Sequence, residues 1–130
     1  MKITAFNPLI FTKNAAETVK FFEELGFEVK HNKTGINGGE VSSMEDANGF
    51  RVDIAQSEDV PFVQDTACIR MNVRDFDEAY ELMISKGFKN VQGDKLIHTA
   101  TSKAAMMVSP SGFTISLIEH IQEHCSLQKF

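Results

Sequence analysis

A repeat constrains this chain more than any other feature of its sequence. Residues 72–91, NVRDFDEAYELMISKGFKNV, spell a strand end, a capped helix, a glycine stop and a new strand. Asp75 and Glu78 have capping-box spacing, in which Asp75 accepts from the Glu78 N–H and Glu78 reaches back. Phe76, Ala79, Tyr80, Met83 and Ile84 form an apolar stripe at helical spacing. Gly87 follows the last turn, where a left-handed residue is usually needed. The same order stands in residues 11–30, FTKNAAETVKFFEELGFEVK, with Asn14 at the N-cap, Glu17 three later, a stripe of Ala15, Val19, Phe22 and Leu25, and Gly26 as the stop. Caps and stops are both offset by 61 residues. Downstream, EDANGFRVDIAQ at 45–56 matches VSPSGFTISLIE at 108–119 with an offset of 63, so the second copy carries about two extra residues in its hairpins. Self-similarity at a fixed offset settles architecture before any motif does.

The chain reads as two copies of a strand–helix–strand–strand–strand pattern, with one additional strand segment in the second. The first copy reads as strand 3–12, helix 15–25, strand 27–32, a turn-rich stretch at 33–39, strand 40–45, a tight turn at 46–49 and strand 50–56. Pro8 argues for an edge position or a bulge in the first strand. The second copy reads as strand 66–73, helix 76–86, and strands 88–92, 95–101, 104–109 and 113–119. The expected class is therefore α+β: two βαβββ modules forming a curled mixed sheet around a cleft, with helices on the outer face. The divisions fall at 1–57, a linker containing Pro61 at 58–65, 66–119, and a C-terminal tail at 120–130. Each module alone, at about 60 residues, buries little surface, so two must pack together and two chains may associate.

Composition narrows the function classes. The net charge of −5 argues against a nucleic-acid partner and leaves a cationic ligand open. Two cysteines, Cys68 and Cys125, make no disulfide framework and read as a reducing compartment. No stretch approaches the roughly 20 apolar residues of a membrane span, and the short first segment reads as a strand, not a leader. The expected location is the cytoplasm.

Strand alternation supplies candidate site residues. Phe50, Val52 and Ile54 alternate with Arg51, Asp53 and Ala55. Ile69, Met71 and Val73 alternate with Cys68, Arg70 and Asn72. Phe113, Ile115 and Leu117 alternate with Thr114 and Ser116. A period of two puts each set on one face. The apolar face must meet the helices. The other holds Asn7, Arg51, Asp53, Cys68, Arg70, Asn72, Thr114 and Ser116, either lining a cup or lying open to water, since both alternate alike. Arg51 and Arg70 can meet an anionic group or pair with Asp53. Cys68, with Arg70 on its face, is a reactive thiol or a packed one. His120 and His124, four apart beside Cys125, have metal-binding spacing in a helical tail but read better as solvated residues of a frayed terminus. His98 faces a site or is merely a strand residue. Met44, Met106 and Met107 wall a ligand or fill the core.

With these motifs in place, the chain resembles the vicinal oxygen chelate superfamily, which includes glyoxalase I, bleomycin and fosfomycin resistance proteins and extradiol dioxygenases. The carriers are the Asn14-capped helix with Phe21-Phe22 and Leu25-Gly26-Phe27-Glu28-Val29, the strand pair around Asn48-Gly49-Phe50, Val73-Arg74-Asp75-Phe76-Asp77, and Ser109-Pro110-Ser111-Gly112-Phe113 leading to Leu117-Ile118-Glu119. Their order and duplication cover nearly the whole chain. The resemblance implies paired modules around a U-shaped cleft, commonly in dimers that sometimes exchange modules. It also implies metal ligands, usually His, Gln or Glu, at strand positions that fall here on Asn7, Asp53, Cys68 and Ser116. Of these, Asp53 and Cys68 are the only credible donors, so no metal and no other cofactor is expected, with a divalent metal as the alternative. The reading is a non-catalytic small-molecule-binding protein of the bleomycin-resistance type, homodimeric, sequestering its ligand. The alternative is a glyoxalase-like lyase or another metal-assisted enzyme of the superfamily.

Overall fold

The computed structural model describes residues 1–34, 40–56 and 65–121. Residues 35–39 of the turn-rich stretch, most of the linker assigned to 58–65, and His124 and Cys125 lie outside them, while residues 33 and 34 belong to the strand before that stretch. The strands are β1 (Ile3–Thr12), β2 (Glu28–Thr34), β3 (Glu40–Glu45), β4 (Arg51–Gln56), β5 (Thr66–Val73), β6 (Lys89–Asn90), β7 (Ile97–His98), β8 (Ser102–Val108) and β9 (Thr114–His120); the helices are α1 (Ala15–Glu24) and α2 (Phe76–Ser85). The nine strands form a mixed sheet in the order β2-β3-β4-β1-β5-β9-β8-β6, with β7 paired to β8. The expected α+β class stands, and the strand path is open, ending at β2 and β6. None of the described helices is long and apolar enough to cross a membrane.

Two compact units divide the chain: Asn7–Ala67, and Met1–Phe6 with Cys68–Phe130. The first six residues thus group with the second module, where Lys2 O accepts from the Arg74 N–H at 3.0 Å. Pro8 stands in a strand inside the sheet order, not at an edge. The β1–β4 register begins one residue later, at Leu9↔Asp53, so the missing N–H costs that ladder no rung.

In the Asn7–Ala67 unit, β1 pairs with β4 in parallel, and β2, β3 and β4 pair antiparallel. Asn14 Oδ1 accepts from the Glu17 N–H at 3.3 Å, capping α1 as its spacing requires. A second cap comes from β4: Gln56 Oε1 accepts from the Ala15 N–H at 2.7 Å, and Gln56 Nε2 donates to Lys13 O at 2.6 Å. The core is small. Met44, Val52 and Ile54 are buried, with Ile10, Ala15, Val19, Phe22 and Phe27 packed against them part-buried.

The other unit repeats the plan. β5 pairs with β9 in parallel, and β8 pairs antiparallel with β9 and with β6. Asp75 caps α2 through the Glu78 N–H at 3.1 Å. Glu78 meets the N-terminal amine at 3.4 Å. Glu119 Oε1 accepts from the Phe76 N–H at 2.7 Å, the counterpart of Gln56. Here nine residues are buried, including Phe76, Ala79 and Met83 from α2 and Met107 from β8. Met44 and Met107 are thus core residues, which decides their reading.

Candidate functional site

Each unit carries its own polar cluster on the strand positions that alternate with the core. In the Asn7–Ala67 unit, β1 and β4 run parallel and bring Asn7 against Asp53. Asn7 Nδ2 donates to Asp53 Oδ2 at 2.8 Å and to Pro8 O at 2.9 Å. Both side chains are buried, Asp53 at 4% exposure. Burying a carboxylate is costly unless it is hydrogen-bonded, and the Asn7 amide meets part of that cost. Arg51 does not join them. Its Nε donates to Glu45 Oε1 at 3.0 Å, across the β3–β4 hairpin at an exposed position.

In the other unit, Cys68, Arg70 and Asn72 stand at alternate positions of β5, and Arg70 faces Ser116 in the β5–β9 register. Arg70 Nε donates to Asn72 Oδ1 at 3.1 Å, and its Nη2 lies 3.3 Å from His120 Nε2. A guanidinium can only donate, so a hydrogen bond at this contact is accepted by His120 Nε2. The two contacts fix the guanidinium plane. Arg70 is 7% exposed, and Asn72 and Cys68 are also buried. The Cys68 thiol is hydrogen-bonded to the Thr114 side chain and the Ser116 backbone, which pull its pKa down, but burial outweighs them and pushes it up from 9.0 to about 11. The thiol is therefore protonated at neutral pH, the packed reading and not the activated one.

Cys68, Arg70, Asn72, Thr114 and Ser116 thus gather in one unit and Asn7 and Asp53 in the other, while Arg51, exposed at the start of β4, pairs with Glu45. A polar face open to water does not describe Asn7, Asp53, Cys68, Arg70 and Asn72, all of which are buried. His120 corrects the sequence reading: it is the last residue of β9, paired with Ser102 and partnered by Arg70, not part of a frayed end. Its place in the alternation Thr114, Ser116, Ile118, His120 was the signal that could have found it. His98 is exposed on β7 opposite Lys103.

The donor set does not fit a divalent metal. A catalytic site normally offers three good protein ligands. At the four strand positions stand an amide turned to donate, a carboxylate receiving that donation, a protonated thiol and an alcohol. Among the described residues, no three His, Cys, Asp or Glu side chains come together as ligands.

A mixed sheet with two βαβββ repeats, each presenting polar residues on matching strands, defines a glyoxalase-type fold. Residues 3–117 match the Glyoxalase/Bleomycin resistance protein/Dioxygenase superfamily, and the chain belongs to it. No curated protein matches the sequence. Among solved structures, methylmalonyl-CoA epimerase from Mycobacterium tuberculosis is similar with a TM-score of 0.69 at 13% identity, over 95% of this chain and 93% of that one. A glyoxalase/bleomycin resistance protein/dioxygenase superfamily member from Vibrio splendidus 12B01 gives 0.60 at 18% identity, over 91% and 99%. A glyoxalase I variant from Zea mays gives 0.62 at 15% identity, over 91% of this chain and 43% of the maize chain. Identities this low show a shared fold and nothing finer.

Proposed function

We propose that the protein binds a small molecule without a metal and without turning it over, as a sequestering member of the superfamily. The observation that carries this reading is the state of the four strand positions: Asn7 donates to Asp53 at 2.8 Å, Cys68 is held protonated, and Ser116 offers only an alcohol. Function lives in the site and not in the fold, and these positions, two in each unit, carry hydrogen-bonding groups in place of the donors that a metal needs. A homodimer and a cytoplasmic location belong to the same proposal and rest on the family resemblance and the sparse cysteines.

The second reading is a glyoxalase-like lyase or another metal-assisted enzyme. The fold shared with an epimerase and a glyoxalase I favours it. One experiment separates the two. Untagged protein, purified without chelator, is assayed for metal content and melted in graded Mn, Fe, Ni, Zn and Mg. A ligand that binds only the native state raises the melting temperature with its concentration. The binding reading expects substoichiometric metal and no shift. Near-stoichiometric metal that is lost in Asp53→Ala would overturn it and direct the work to lyase and epimerase assays.

A further inference from the structure

The hairpin turns of the two modules are built alike and differ at one chemically consequential position. In the turn between β3 and β4, the Gly49 N–H donates to Asp46 O at 3.1 Å and the Asp46 N–H to Phe50 O at 3.0 Å. Asp46 Oδ1 accepts from the Asn48 and Phe50 N–H groups, both at 2.9 Å. Gly49 closes the turn at φ +87°. Between β8 and β9, the Gly112 N–H donates to Ser109 O at 3.0 Å and the Ser109 N–H to Phe113 O at 2.8 Å. Ser109 Oγ takes the place of the Asp46 carboxylate, accepting from Gly112 and Phe113 at 3.0 and 3.1 Å. Gly112 sits at φ +105°. Both are three-residue loops closed by a left-handed glycine. The residue before that glycine is Asn48 in one turn and Ser111 in the other.

We propose that Asn48 is a site of spontaneous deamidation, latched by Asp46. Asn48 and Gly49 are exposed, and nothing lies within 4 Å of a Cβ placed on Gly49, so no side chain crowds the reacting amide. The Gly49 backbone nitrogen loses its proton to solvent and attacks Asn48 Cγ. The new C–N bond closes a succinimide, and the side-chain nitrogen leaves as ammonia. Water then opens the ring. Cleavage at Cγ leaves an aspartyl residue at position 48; cleavage at the former backbone carbonyl leaves an isoaspartyl residue. The net change is one water in and one ammonia out, with no oxidant or reductant.

The latch acts on the first step. The nucleophilic nitrogen has its hydrogen engaged with Asp46 O, and the flanking N–H groups are held by Asp46 Oδ1. Rotating the Asn48–Gly49 peptide to face Cγ breaks these bonds, and the nearby carboxylate charge opposes loss of the Gly49 proton. The isoaspartyl product adds one methylene to the backbone of a loop whose length sets the β3–β4 register, and therefore marks the hairpin that carries Asp53. The corresponding turn of the second module is exempt because Ser111 has no amide to lose.

The test incubates the full chain at mildly alkaline pH and follows amide-to-acid conversion by peptide mapping, with isoaspartate detected by enzymatic methylation. The sequence holds a second Asn-Gly pair at 37–38, which serves as the internal reference. The expected result is conversion at position 48 in the native protein that becomes roughly threefold to tenfold faster in Asp46→Ala, the opening that lost hydrogen bonds of ordinary strength allow. Conversion at 37 should keep its rate, and Ser111→Asn should create a new reactive position in the second turn. No conversion at 48 in either protein would overturn the proposal. So would equal rates with and without Asp46, or a rise at 37 that parallels the rise at 48, which reports unfolding and not a latch.

Discussion

The two helices occupy equivalent places and carry different shares of the core. α1 has no fully buried residue, whereas α2 buries Phe76, Ala79 and Met83. Both begin with a side-chain cap three residues before the N–H it accepts, and both receive a second cap from the last strand of their module. Local signals were thus kept in both copies, while packing diverged. α1 lies over three buried residues and α2 contributes to a cluster of nine. Helical stability in proteins comes mostly from packing of the apolar face. The first module is therefore expected to be the softer of the two.

Large-to-small substitutions test that difference most severely. Phe76 is 1% exposed, stacks on Tyr80 at 5.5 Å and has the Lys103 ammonium 5.3 Å from its ring centre. Phe76→Ala should cost about 3–5 kcal/mol, the range for deleting a buried aromatic. Phe22 is only part-buried, edge-on to Phe21 and Phe27 at 5.2 and 5.4 Å. Phe22→Ala should cost about 2 kcal/mol. Denaturant unfolding measures both. Equal costs would break the comparison, because α1 would then be as tightly held as α2.

The helix stops sharpen it. Gly26 and Gly87 both take left-handed backbone, φ +107° and +95°. A Cβ on Gly26 meets nothing within 4 Å, but on Gly87 it would lie 2.9 Å from Pro110 Cγ. Gly26→Ala should cost about 1–2 kcal/mol for the backbone alone. Gly87→Ala adds the displacement of a packed proline ring, for about 2–4 kcal/mol in all. A Gly87→Ala penalty no larger than that of Gly26→Ala would show that Pro110 yields freely.

The two modules also differ in pH response. Cys68 and Asn7 stand at corresponding positions of β5 and β1, and only the thiol titrates. Its folded pKa, about 11, lies above the ordinary 9.0 because burial disfavours the thiolate. A raised value means that the folded chain holds the proton more tightly. The stabilisation is complete below pH 9 and is lost as pH climbs towards 11, a change on the order of 2–3 kcal/mol by linkage. In a Cys125→Ser background, unfolding free energies from pH 8 to 11 should fall more steeply for the parent than for Cys68→Val. Parallel curves would mean that the thiol titrates as if exposed.

The parts of the fold legible in the sequence are those written in local spacing. Asn14 with Glu17, Asp75 with Glu78 and the two Gly-Phe stops needed only the geometry of one turn, and the observed helices end one residue short of the sequence reading. Alternation put Cys68, Arg70 and Asn72 on one face. It could not pair Asn7 with Asp53, because parallel β1–β4 pairing is a long-range choice. It could not name Glu45 as the partner of Arg51, because that neighbour comes from the β3–β4 register and not from Arg51's own strand. His120 was missed because the strand was ended at Glu119 and His120 was given to the tail, when β9 and its alternation run one residue further. The weak core of α1 was not legible at all, since its stripe of Ala15, Val19, Phe22 and Leu25 is as regular as that of α2.

The smallest expected effects separate the two strand-borne caps. Glu119 Oε1 and Gln56 Oε1 each accept a helix N–H at 2.7 Å, from Phe76 and Ala15. The carboxylate adds a negative charge where the helix dipole is positive, worth about 0.3–1 kcal/mol. Glu119→Gln keeps the acceptor and loses the charge, so it should cost about 0.5 kcal/mol. The reciprocal change should not return that gain. Gln56 Nε2 donates to Lys13 O at 2.6 Å, and in Gln56→Glu a carboxylate oxygen would face that carbonyl with no hydrogen between them. The lost hydrogen bond and the repulsion exceed the dipole benefit, and Gln56→Glu should destabilise by about 1 kcal/mol. Thermal unfolding of the two single variants and the double variant decides the matter. Additive penalties mean that each cap answers to its own loop. A stabilising Gln56→Glu would show that the first module tolerates the second module's cap, and that the difference between them lies in packing alone.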